Sequence, residues 1–385
     1  MHSRAPIMRI ILTVLIWRVL LALLFMAAAS RLPAQPDEKA FTTRGEAVIA
    51  NAIHVPLWQR GTFNWDAYYY LHIAAHGYRS DEPATFAFFP LFPALVAMLH
   101  KLGLGLVTAG LLLNLLATGF AAVFLYLMAM EFCSREQCAQ RAVWLFLLFP
   151  SSYFLAAFYS EAVFCALGFG ALWLARKRQW LAASMLLALL TATRPTALCF
   201  VLAVAVEYLD AKQFSARKLD RSALAFLAAP AGLMAYMAYL QARWGDALLF
   251  ARVQHQFWDY RAFTWNLVKP LVQATRSAVG LTQYGFWVEA ARHWVTLACF
   301  VVALLALVGG WRKLLPSYRV LIAASLLLFL ASGSLGSVNR FVLPLFPVFL
   351  VLSELSGWRY RVWLTISAGL MTFLAVAFVN FRFTG

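Results

Sequence analysis

The sequence predicts an all-α polytopic membrane protein, on three observations. Of 385 residues, 63% are hydrophobic and 12% charged, far more apolar surface than a soluble core of this size uses. The apolar residues come in long blocks, most of them near the length that crosses a bilayer. The basic residues sit in short loops between those blocks, so the net charge of +16 reads as topological. A nucleic-acid domain would gather them on one soluble face.

The blocks run over residues 8–29, 88–104, 107–130, 141–158, 160–175, 179–193, 195–209, 223–243, 293–310, 318–333, 341–356 and 362–380. In the first, the apolar run from Ile10 to Ala29 after Arg4 and Arg9 is too long for a signal-peptide core, so it is read as an uncleaved helix despite the small residues near Ala34. Basic loops at Arg176–Arg178, Lys212–Arg221, Arg312–Arg319 and Arg359–Arg361 belong in the cytoplasm with the N-terminus. If every block crossed, these loops would fall outside. The block that fails is Phe88–Leu104, whose first turns contain Pro90 and Pro93; it is expected to be re-entrant or interfacial. About eleven crossings remain, forming one integral membrane domain over residues 1–385. Residues 31–107 then form a large first extracytoplasmic loop, and residues 244–292 a second, whose Trp, Phe and Tyr suit the headgroup level.

Cys133, Cys138, Cys165, Cys199 and Cys299 contain no CxxC pair and lie mostly in apolar stretches. Neither a disulfide framework nor a zinc site is indicated, and they are read as packing residues.

This topology puts four polar clusters on one side: Trp65 and Asp66, Tyr159 to Glu161, Thr193 to Thr196, and Ser337 to Arg340. Asp66 opens an aromatic, helix-compatible run, and two readings stand beside each other: a plain N-cap and a catalytic carboxylate. His72 and His76 share a helical face, but HExxH is absent, and anchoring at the lipid interface suits them better than zinc. Glu161 is either an acid favoured by a helix N-terminus or a substrate contact. Arg194 and Arg340 either snorkel to headgroups or hold a phosphate with their forked donors. In the second loop Asp246, Gln254, His255 and Asp259 alternate with Phe250, Phe257 and Trp258, as an interfacial helix or a sugar-binding wall would. No P-loop, GxSxG or Rossmann glycine pattern occurs, so a transferase of this kind would draw on a lipid-linked donor.

Four stretches resemble the PIG-V-like mannosyltransferases, relatives of GPI mannosyltransferase II within the GT-C class: Trp65 and Asp66 with LHIAAHGY and FAFFPLFP; PSSYFLAAFYSEAVF at 150–164; GDALLFARVQ at 245–254; and SVNRFVLPLFPVF at 337–349. The resemblance implies a GT-C fold and inverting transfer of a hexose, usually mannose, from a polyprenyl- or dolichyl-phosphate carrier to a membrane-associated acceptor on the extracytoplasmic side. That side is the periplasmic face of a bacterial inner membrane in preference to the lumenal face of the endoplasmic reticulum. Asp66, with Trp65, matches the family's catalytic acid; Arg340 and Arg194 would stabilise the leaving phosphate. Tyr159, Glu161, His76, Asp246, Gln254, Trp258 and Asn339 would contact sugar or acceptor. Ala247 stands where proline is expected after the Gly-Asp pair, which alters the loop's shape. The first loop has no DxD, so no metal or other cofactor is expected. Two other classes remain: a lipid-linked-sugar flippase, which would show inverted repeats with broken helices, and a non-catalytic subunit of a glycosylation complex.

Overall fold

The computed structural model describes residues 4–31, 56–59, 61–258, 263–380, 382 and 384, helical throughout and without a strand among them. Much of the first loop, Ala34 and Asp259 lie outside the described residues. Helix α1 (Arg4–Arg31) shows what kind of protein this is. Ile10, Val14, Trp17, Leu21, Phe25 and Ala28 recur every three or four residues and are buried. The opposite face is equally apolar, with Leu12, Ile16, Val19 and Leu20 exposed. A helix that buries one apolar stripe in protein and leaves another uncovered has lipid as its solvent.

Among the described residues four helices are long and apolar enough to cross a bilayer alone: α1 and, further along, α4 (Leu106–Cys133), α12 (Trp287–Gly309) and α16 (Gly357–Val379). A 3-10 segment at Arg221–Ala228 continues into α9 (Ala231–Trp244) with a 41° bend, at Pro230, as a fifth. Helices α5 (Glu136–Leu147), α6 (Glu161–Arg176), α7 (Trp180–Thr191), α8 (Leu198–Ala211) and α13 (Pro316–Ala331) have 12 to 16 residues. Each is about 18–24 Å long, short of the ~30 Å hydrocarbon thickness.

Contacts sort these elements by direction. At one end Arg9 meets Glu136 (3.3 Å), Lys177 and Arg176 meet Glu131 (2.5 and 3.5 Å), Arg176 meets Glu207 (2.9 Å), and Lys313 meets Glu354 (2.7 Å). This is the basic face. At the other end Gln59 binds Thr108, Asn114 binds the carbonyls of Ala157 and Tyr159, and Asn64 binds those of Phe378 and Val379. Helix α4 therefore begins at this second face, beside Gln59 and Asn64, and ends at the basic face. The chain between Asp66 and Leu106 leaves and returns to the same end. Within it α2 (Ala67–His76) and α3 (Leu91–Lys101) lie, and α3, at 11 residues or about 16 Å, is too short to cross.

Three expected helices are interrupted. The 141–158 block ends as α5 at Leu147; Pro150 breaks it, and Ser152–Leu155 forms a buried 3-10 turn. Ser151 and Ser152 donate to the carbonyls of Asn339 and Leu147 (2.7 and 2.6 Å), satisfying backbone that water cannot reach. Pro344 and Pro347 split the 341–356 block into α14 (Val338–Val342) and α15 (Phe346–Leu352). Pro230 bends the third.

The reading of all five cysteines as packing residues needs correction. Cys133 and Cys138 form a disulfide across the turn joining α4 to α5, with Cα atoms 6.4 Å apart; Cys165, Cys199 and Cys299 are free and buried. The left-handed backbone of Ser134 turns the chain so that two helix ends face each other, a relation that sequence spacing alone conceals.

Candidate functional site

The site grows from the turn carrying Trp65. Its φ of +60° is a conformation that costs an aromatic residue energy and persists only when neighbours enforce it. They do so on both sides. Asn64 is buried and donates to Phe378 O (2.8 Å) and Val379 O (3.2 Å). The Tyr159 hydroxyl donates to Asn64 O (2.9 Å) and accepts from the Asp66 N–H (3.1 Å), straddling Trp65. Asp66 is the N-cap residue of α2, but its side chain makes no capping bond. Its Oδ2 accepts from Arg340 Nη1 at 2.9 Å, so the carboxylate belongs to the site rather than to its helix.

Arg340, on α14, also stands 3.1 Å by Nε from Glu161 Oε1. The same Glu161 oxygen is 3.0 Å from Arg194 Nη2, which donates to Ser160 Oγ at 2.6 Å. Two carboxylates and two guanidiniums thus form one chain: Asp66, Arg340, Glu161, Arg194. Glu161 is completely buried, and among the described residues neither of its oxygens accepts a hydrogen bond. Charge balance holds it there. A buried carboxylate so incompletely satisfied is costly, and such costs concentrate at functional sites. Around the guanidiniums Phe154, Tyr159, Phe164 and Phe341 present ring faces at 4.9–5.4 Å.

A cavity of about 270 Å³ opens over this chain. Asp66, Arg194 and Arg340 line its charged end, and Thr193, Thr196, Ser332, Ser334 and Ser337 supply hydroxyls. Phe88, Tyr70 and Trp258 form an aromatic wall, Phe88 lying 5.1 and 5.8 Å from Tyr70 and Trp258. Tyr70 is held by its hydroxyl against Ser160 Oγ (2.9 Å).

Of the expected contacts, Gln254 and Trp258 line the cavity, beside Asp66, Arg194 and Arg340. The rest sit elsewhere. Glu161 and Tyr159 stand behind the arginines and Asp66. Asn339 is buried and donates to Thr384 O (2.8 Å), tying down the C-terminal segment. His76 is exposed at the far end of α2, about 15 Å of helix from Asp66. Asp246 accepts from Leu248 N (3.0 Å) and pairs with Arg252 (2.9 Å), shaping the start of α10 (Leu249–Phe257) after the left-handed Gly245. A local fold explains that aspartate without any sugar.

His72 and His76 are neighbours, ring centroids 5.1 Å apart, and burial pushes the His72 imidazole below its usual value. No third ligand joins them: among the described residues no group of three His, Cys, Asp or Glu side chains is placed to hold a metal. Sequence reasoning passed over Asn64, which the NWD triplet displays but which needs its partners 314 residues away to be understood. It also missed Ser332 and Ser334, ordinary turn residues until the fold places them on the cavity wall.

The chain is 40% identical over 152 residues to the GPI alpha-1,6-mannosyltransferase 2 of Cricetulus griseus, covering 37% of this chain and 30% of that protein. It is 40% identical over 152 residues to the Mus musculus protein of the same name, and 36% over 131 residues to that of Homo sapiens. The matched stretch spans 30% or less of each relative's length. The family profile described as Mannosyltransferase (PIG-V) matches residues 7–267, more than half of the chain, and includes Asp66, Glu161 and Arg194: the chain belongs to the PIG-V mannosyltransferase family.

Proposed function

We propose that this protein is an inverting mannosyltransferase of the GT-C class, taking mannose from a polyprenyl- or dolichyl-phosphate carrier and passing it to a membrane-associated acceptor. The observation that carries the reading is the cavity in which one carboxylate, Asp66, and two guanidiniums, Arg194 and Arg340, converge. In a single displacement the acceptor oxygen attacks the anomeric carbon while Asp66 takes its proton. The bond from that carbon to the phosphate oxygen breaks, and the carrier phosphate leaves with the electron pair. The charge growing there is met by Arg194 and Arg340. The phosphate is already a good leaving group, so one carboxylate suffices.

The resting site is balanced, two positive charges against two negative. An arriving phosphodiester adds a third negative charge and competes with Asp66 for Arg340. The donor thereby frees Asp66 to act as a base only once it is in place. Trp258, Phe88 and Tyr70 supply faces on which a hexose packs.

We place the site on the extracytoplasmic side. The charged chain lies at the end of the protein opposite Arg9, Arg176, Lys177 and Lys313, and the positive-inside rule puts those in the cytoplasm. Counting passages between the two faces, with the interrupted segments as single passages, supports about eleven crossings, with α3 remaining on the site's side. A periplasmic face of a bacterial inner membrane is preferred, although the relatives found are eukaryotic.

The test is transfer of labelled mannose from polyprenyl-phosphate mannose by the purified chain in nanodiscs. Asp66→Asn keeps the side-chain shape and removes the base, so turnover is expected to fall by about 10²–10⁴ with donor binding retained. Activity within about tenfold of wild type would remove Asp66 from the mechanism. A wild-type protein that consumes no polyprenyl-phosphate sugar would end the transferase reading.

A further inference from the structure

We propose that the open cleft beside the site cavity is where the acceptor docks, and that Arg276 binds an anionic group, a phosphate, carried by that acceptor. The inference rests on the transferase reading and extends it to the acceptor's chemistry.

Space is the first argument. At about 270 Å³ the site cavity falls just below the ~300–1,000 Å³ of sites that enclose drug-sized ligands, small for a donor hexosyl phosphate and an acceptor sugar together. The acceptor needs another approach. A neighbouring hollow at Phe164 and Phe200 measures about 10 Å³, water-sized at most. A cleft of about 350 Å³ lies between helix α11 (Lys269–Gln283) and the Ser334–Gly336 loop. Ser334 lines both this cleft and the site cavity, so a molecule in the cleft can present a hydroxyl across it.

Charge is the second. Arg194 and Arg340 are already matched by Glu161 and Asp66. Arg276 is exposed and makes no hydrogen bond or ion pair among the described residues. Pro270, Gln273 and Ser277, spaced three and four apart, put one face of α11 on the cleft, with Arg276 beside them. An unpaired guanidinium flanked by an amide and a hydroxyl is suited to a phosphate bearing a polyol.

The full chain in phosphatidylcholine nanodiscs is titrated with mannose 6-phosphate and, as neutral control, methyl α-mannoside, read by saturation-transfer NMR. Wild type is expected to favour the sugar phosphate by about tenfold, the size of one charge-assisted contact. With polyprenyl phosphate present to fill the donor cavity, Arg276→Gln removes the preference and Arg276→Lys keeps part of it. Phosphatidylinositol added to the discs separates two sources: displacement of the sugar phosphate assigns the cleft to a lipid headgroup, and no displacement to a phosphate on the glycan. Both support the anion site. Equal binding of the two probes, or an undiminished preference in Arg276→Gln, overturns the proposal. Consumption of polyprenyl-phosphate mannose by the same preparation separates the two claims: with donor turnover intact, such a result defeats the cleft and spares the transferase reading.

Discussion

Arg340 Nη1 lies 2.9 Å from Asp66 Oδ2, joining residues 274 positions apart. The contact makes each residue the other's counter-ion inside an apolar body, and Glu161 and Arg194 complete the balance. Substitutions in this chain therefore act on charge and position together, and the two effects can be read apart.

Arg340→Ala leaves Asp66 without its cation and is expected to cost about 3–5 kcal/mol of stability, besides the loss of phosphate stabilisation. Arg340→Lys keeps the charge but cannot reach Asp66 and Glu161 with separate donors, so donor use falls with a smaller drop in melting temperature. Thermal melts and donor KM in both variants check this; wild-type values in both would make Arg340 a mere interfacial anchor.

Glu161→Gln separates a sugar contact from a counter-ion. Behind the guanidiniums, its loss leaves them one carboxylate short, so the protein is destabilised while polyprenyl-phosphate binding holds or tightens. Direct binding of the donor measures it. Donor affinity weakened about tenfold, equivalent to ~1.4 kcal/mol, would return Glu161 to the list of substrate contacts.

Tyr159→Phe removes the hydroxyl that bridges Asn64 O and the Asp66 N–H. Two buried hydrogen bonds are lost, about 1–3 kcal/mol, and the strained Trp65 turn relaxes. The expected signature of a positioning residue is a fall in kcat with donor KM unchanged. An unchanged kcat would show that Asp66 needs no such brace.

Cysteine accessibility tests the topology on a background lacking all five native cysteines, the Cys133–Cys138 pair included. Single cysteines at Lys177 and Lys313 are expected to label from the cytoplasmic side and one at Trp258 from the opposite side. Labelling of Lys177 only from outside would reverse the whole arrangement.

Much of this protein was legible in its sequence because lipid imposes a simple code. Apolar block length announces helices, and Pro90 with Pro93 marked a block that folds as a helix of only 11 residues. The same reasoning put Asp66, Glu161, Arg194 and Arg340 at one end of the protein, since parity of crossings is a property of order along the chain. Their contacts are not. That Glu161 stands behind the arginines instead of facing a sugar, that Asn339 braces the C-terminal segment, that Asp246 folds its own turn and that Cys133 meets Cys138 depend on the angles at which helices end. Those angles follow from packing, as where Asn114 holds the carbonyls of Ala157 and Tyr159 and Pro150, Pro230 and Pro344 interrupt long blocks. Hydropathy determines which residues share an end of the membrane, because transfer free energy sums along a segment; which of them touch is decided only by close packing in three dimensions, where a shift of one ångström makes or breaks an ion pair.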